Sequence, residues 1–164
     1  MIILGKHKQS LDLIRSLAIT SHALDLSAEH LFVSGTYNNK GPFVKEIYDG
    51  LLSTHLLQLA VAIRTNIYQG LLEGDSEKFV THCGFLDIED GEKERTVPFS
   101  IKDVCDKIIH ADKISRELSD ESVGSGRSVT VILGSRGKEK WKMSISIELF
   151  CEAVLNWLDD VDET

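Results

Sequence analysis

Between Ser100 and Asp112 the chain sets a carboxylate and an imidazole four residues apart, Asp106 and His110. On a helix that spacing puts both side chains on one strip. A carboxylate there could orient the ring, which would then serve as a general acid or base or as a contact for RNA. The same pair has a plainer reading, a histidine stabilised by the dipole at a helix C-terminus beside an exposed acid. The surrounding residues read as the helix that would carry the pair. Ser100 can cap the amide of Asp103, and Asp103 can reach back, a capping box with Asp in place of Glu. Ile101, Val104, Ile108 and Ala111 recur at helical spacing and mark a core face, which Cys105 and Ile109 widen.

Other side chains compete for a role. Arg64 lies beside the apolar face of a long helical segment, and if that segment packs on the 100–112 helix it can reach Asp106. Otherwise it buries its stem and keeps its head in water. His55 falls between Leu51 and Leu59 and points toward the core. His82 and Cys83 are adjacent, a poor arrangement for one metal, and His22 and His30 are eight apart, so no metal site is expected. Cys83, Cys105 and Cys151 are odd in number and far apart, which argues against a disulfide framework. Gly124-Ser125-Gly126-Arg127-Ser128 lacks the lysine and spacing of a phosphate loop and precedes a strand rather than a helix. No cofactor is expected.

The positioning elements follow from periodicity. Residues 8 to about 33 read as a helix, with Ser21-His22 as a site for a bend and a fresh start near Asp25 or Ser27. Gly35 to Gly41 reads as a turn. Pro42 suits a first helical turn, and 42–73 is the strongest helical pattern in the chain. Its apolar face, from Val44 through Leu51, Leu59 and Ile67, is wider than a surface helix needs, so contact on more than one side is expected. Residues 75–98 suggest a loose hairpin, with Glu89 to Arg95 a solvated turn and Pro98 a stop. Ser128–Leu133 and Trp141–Ile147 read as two strands of a hairpin turning at Gly134-Ser135-Arg136-Gly137, with Ile114–Leu118 as a candidate third strand. Trp141 and Trp157 are expected as core anchors. The last helix runs from about Ile147 to Val161. The expected architecture is mainly α: one domain over 1–164, a bundle of about four helices with a small antiparallel β-hairpin at about 128–147 inserted before the last helix, an α+β annex.

The 164 residues carry a formal net charge of -8, which disfavours an electrostatic grip on long nucleic acid. Glu148, Glu152, Asp159, Asp160, Asp162 and Glu163 crowd the last segment, where no Lys or Arg occurs. Glu148, Glu152, Asp159 and Asp160 are therefore candidate contacts for a basic protein partner, such as a toxin that an acidic immunity protein or antitoxin neutralises. An ordinary solvated helix is the plainer reading. No apolar run is long enough to span a bilayer, the opening Met1-Ile2-Ile3-Leu4-Gly5 is short for a secretory signal, and a cytoplasmic location is expected.

The run Cys105-Asp106-Lys107-Ile108-Ile109-His110 resembles a degenerate copy of the HEPN-domain motif. The resemblance covers six residues and a compatible helical layout. It implies an all-α bundle in which His110 stands at the family's histidine and Asp106 at its polar position. It also implies a metal-independent ribonuclease of a defence or toxin–antitoxin type, acting as a homodimer. Cys105 stands where the family has an arginine that contacts the scissile phosphate. Arg64 would have to supply the charge, and the reading leans to a catalytically degenerate protein that acts through RNA or protein binding.

Overall fold

The computed structural model describes residues 10–32, 42–69, 80–81, 84–88, 99–117, 129–137 and 139–162. In chain order the elements are α1 (Leu11–Phe32), α2 (Pro42–Tyr68), β1 (Val80–Thr81), β2 (Gly84–Ile88), β3 (Phe99–Ser100), α3 (Ile101–Ile109), β4 (Ala111–Glu117), β5 (Val129–Arg136), β6 (Glu139–Ile145) and α4 (Ile147–Asp162). The fold is mainly α with a small antiparallel sheet before the last helix. The β5–β6 hairpin is extended on one side by β4 and on the other by β2, in the order β2-β6-β5-β4. β1 and β3 form a separate two-stranded pair.

α1 packs against both α2 and α4, while α2 lies along α3 and β4. One core joins them, built from Ile14 and Ala18 of α1, Leu52, Leu56, Leu59 and Ile63 of α2, and Val104 and Ile108 of α3. Phe150, Val154, Trp157 and Leu158 of α4 close it from the far side. Trp141, Met143 and Ile145 of β6 are buried while Lys142 and Ser144 between them are only partly so, the period of two that one covered face of a sheet demands. Trp141 and Trp157 are both core residues, at 6% and 3% exposure. Gly134 on β5 faces Trp141 across the ladder, and a Cβ there would overlap the indole ring.

Several boundaries differ from the sequence reading, each for a local reason. α1 runs unbroken through Ser21 and His22. Asp25, expected near a fresh helix start, instead turns inward to Arg116 at 2.5 Å. The helix opened by Ser100 stops at His110 rather than near Asp112, because Ala111 and Asp112 already belong to β4. Gly134, Ser135 and Arg136 continue β5, and the reversal comes at Gly137, the residue with a positive φ of 66°. The third strand starts at Ala111, ahead of the expected Ile114. The readings at Gly35–Gly41, 70–73, His82-Cys83, Glu89–Arg95, Pro98, Gly124–Ser128 and Leu118 lie outside the described residues.

Candidate functional site

The helix that carries Asp106 and His110 is held at its start by the capping box. Asp103 donates its main-chain N–H to Ser100 Oγ at 3.1 Å, and Ser100 donates its own to Asp103 Oδ2 at 3.1 Å. Both ends of the device lie within a single turn, which is why the sequence announces it. α3 then buries Ile101, Val104, Cys105 and Ile108 and turns Asp106 toward α2.

There the structure brings Arg64 and Asp106 together, Nε to Oδ1 at 2.6 Å, with the side chains 27% and 40% exposed. The pair joins α2 to α3 at the rim of the core. His110 is the C-cap residue of α3 and is exposed. Among the described residues its ring has no hydrogen bond or ion pair with Asp106, so the four-residue spacing has not become a contact: Asp106 is turned to Arg64 and His110 to water. Cys105 is fully buried, about 140° around the helix from His110 at 3.6 residues per turn. An arginine at 105 would carry its charge into the core, where an unpaired ion is severely penalised. Position 105 therefore offers no phosphate contact. Lys107, one step further round, lies 4.4 Å over the Trp141 ring as a cation–π pair.

Beside this rim runs an open groove of about 350 Å³ between α2 and the α3–β4 corner, with Asp49, Ser53, Leu57, Ile109 and Lys113 on its walls. His55 is half-buried, and its Nδ1 is shielded from solvent with no hydrogen-bond partner among the described residues. Among those residues no group of three or more His, Cys, Asp or Glu converges as a metal site, and no helix is long and apolar enough to cross a membrane.

A charged cluster that sequence reasoning missed lies deeper. Arg116 of β4 and Asp25 of α1 form an ion pair at 2.5 Å with side chains 3% and 7% exposed. The main-chain N–H of Arg116 donates to Asp49 Oδ1 of α2 at 3.2 Å, and Lys45 Nζ closes on the same carboxylate at 2.6 Å. Tyr48 donates its hydroxyl to the Leu24 carbonyl at 2.7 Å. Burial pushes the Tyr48 phenol far above its ordinary pKa; the Arg116 charge opposes that shift, and Asp25 and Asp49 add to it. Burial likewise pushes up the Cys151 thiol, helped by Asp25 and Glu152. A signal was present in the sequence: Asp25 falls in phase with Ile14, Ala18, Ser21 and Ala28, all core positions of α1. A carboxylate at a core position requires a buried counter-ion, but nothing local names Arg116 as that ion.

The acidic candidates all sit on α4. Glu148, Glu152, Asp159 and Asp160 are exposed, and Glu148, Glu152 and Asp159 fall on one strip at helical spacing. Arg15 of α1 approaches the end of that strip, 3.7 Å from Asp159 and 2.5 Å from Asp162, and donates to the Leu158 carbonyl at 3.2 Å. Glu148 and Glu152 lie upstream of this cation. Compared with known proteins, the chain matches no family model, no curated protein and no solved structure.

Proposed function

We propose that this protein is a non-catalytic binding module that captures a basic protein through the outer face of α4, in the manner of an acidic immunity protein or antitoxin. The observation that carries the reading is the composition of that face. α4 has no Lys or Arg in its 16 residues, and its exposed strip presents Glu148, Glu152 and Asp159 in line, with Asp160 beside them. A helix C-terminus favours cations, so Asp159, Asp160 and Asp162 stand where they cost helix stability. Arg15 of α1 offsets that cost at Asp159 and Asp162, whereas Glu148 and Glu152 lie clear of it, and complementary charge of this kind speeds encounter with a cationic partner. The test is capture of bound proteins from the native lysate in low and moderate salt, with the unaltered chain and with Glu148→Lys/Glu152→Lys. A basic protein retained by the former, released by salt and lost with the double variant is the expected result. Equal retention by both removes the acidic face from the interaction.

A second reading rests on the Arg64–Asp106 pair with His110 at the end of the same helix. It keeps the HEPN-like assignment as an RNA-binding, catalytically degenerate form, of a defence or toxin–antitoxin type. RNA fragments recovered with the unaltered chain and lost with His110→Ala would favour it over the first.

A further inference from the structure

The face of α2 turned away from the core is apolar along the whole helix. Phe43 is 75% exposed, Ile47 64%, Leu51 48%, Leu57 43%, Val61 44% and Tyr68 78%. Helical geometry gathers them: Ile47, Thr54, Val61 and Tyr68 recur every seven residues, as do Phe43, Gly50, Leu57 and Arg64, and the two series alternate by four and three. The opposite side of α2 carries Leu52, Leu56, Leu59 and Ile63, all fully buried. α2 thus carries apolar residues on both sides, as a helix surrounded by protein does, yet among the described residues one side is bare. The apolar residues left exposed on α1, Leu13, Ile19, Leu26 and Leu31, are interspersed with Asp12, Ser16 and His30 and form no comparable seam.

We infer that this seam binds a second copy of the chain, with the two α2 helices antiparallel about a two-fold axis midway between Thr54 and Leu57. Two features specify that occupant. The first is size. The six exposed apolar side chains present on the order of 600 Å² if a fully exposed aromatic counts for ~200 Å², and a lone monomer seldom shows a contiguous patch above about 300–600 Å². A stable interface removes about 800 Å² per partner, and Gly50, Thr54, Gln58 and Thr65 along the same seam supply the remainder. The second is self-complementarity. Reversing one helix on the other sets Phe43 against the partner's Tyr68, Gly50 against the partner's Val61, Thr54 against the partner's Leu57 and Ile47 against the stem of the partner's Arg64, so the two rings meet and Val61 and Leu57 each face a smaller residue. A Cβ at Gly50 would meet nothing within 4 Å, which leaves the room that a bulkier side chain from the partner would fill. A parallel pair would instead set Gly50 against the partner's Gly50 and Arg64 against the partner's Arg64, leaving a gap at one level and like charges at another.

The test uses the full chain. Light scattering after gel filtration should return twice the chain mass at micromolar concentration. Val61→Glu and, separately, Ile47→Lys should each return the single-chain mass with an unchanged far-UV circular dichroism spectrum, since both residues are exposed in the single chain. For orientation, in a chain with Cys83 replaced by Ser, Thr54→Cys should cross-link between copies on mild oxidation. Thr65→Cys should not, because the two residues stand roughly 28 Å apart along an antiparallel seam at 1.5 Å per residue. A monomer for the unaltered chain overturns the proposal, as does a dimer that survives both seam variants. Equal cross-linking at 54 and 65 overturns the antiparallel arrangement.

Discussion

Asp25 and Arg116 meet inside the molecule, where either charge alone would be a heavy burden. Their attraction offsets desolvation only while both are present. Asp25→Leu, or Arg116→Met alone, should lower unfolding free energy by about 3–5 kcal/mol. Asp25→Leu/Arg116→Met together should cost clearly less than the two single changes summed, as urea titrations of the single and double variants will show. Tyr48 and Cys151 give the same region a pH dependence of definite sign. Both are held protonated in the fold above their ordinary values, so the folded state binds protons that the unfolded chain releases. Their contribution to stability is level through neutral pH, begins to fall above the ordinary thiol value of about 8.5, and falls faster above the ordinary phenol value of about 10. Cys151→Ala should postpone the onset to the higher of these, read from thermal melts at stepped alkaline pH. At this scale the sequence was half legible. Asp106 and Arg64 could be named and their meeting stated as one of two outcomes, because each sits at the edge of an apolar stripe. The Asp25–Arg116 pair could not, because its partners lie on a helix and a strand far apart in the chain, and pairing at that range leaves no periodicity.

The elements show where local rules suffice. Ser100→Ala removes the oxygen that accepts the Asp103 amide and leaves the main-chain N–H of Ser100 to Asp103 alone. The expected loss is about 1 kcal/mol in unfolding free energy by urea denaturation, with α3 fraying first as seen by amide exchange. The capping box, the proline opening α2 and the alternation of β6 were all readable, since each is completed within a few residues. The end of α3 was not. Ile109, Ala111 and Ile114 continue an apolar series that helix and strand both satisfy over so short a span, and the change comes where β4 joins the hairpin. The unbroken course of α1 has a similar origin. The Leu24 carbonyl accepts the Ser27 hydroxyl at 2.8 Å, so one residue expected near a fresh start satisfies itself within the helix, while Asp25 turns to Arg116.

For the whole molecule, the breadth of α2's apolar face foretold more than one contact surface, and α1, α3 and β4 occupy only part of it. What no local pattern conveys is how the sheet sits on the helices, because that depends on ion pairs and packing between segments distant in sequence. Lys45, Asp49 and Arg116 fasten β4 to α2 at the outer margin of the sheet. That fastening has a protective corollary. The margin of a β-sheet offers main-chain groups as a template on which a stray chain can polymerise, and natural sheets blunt it with charge or cover. Here a carboxylate already occupies the Arg116 N–H and a lysine stands beside it, so at that point the margin is blocked to a stray strand by the same residues that orient the sheet.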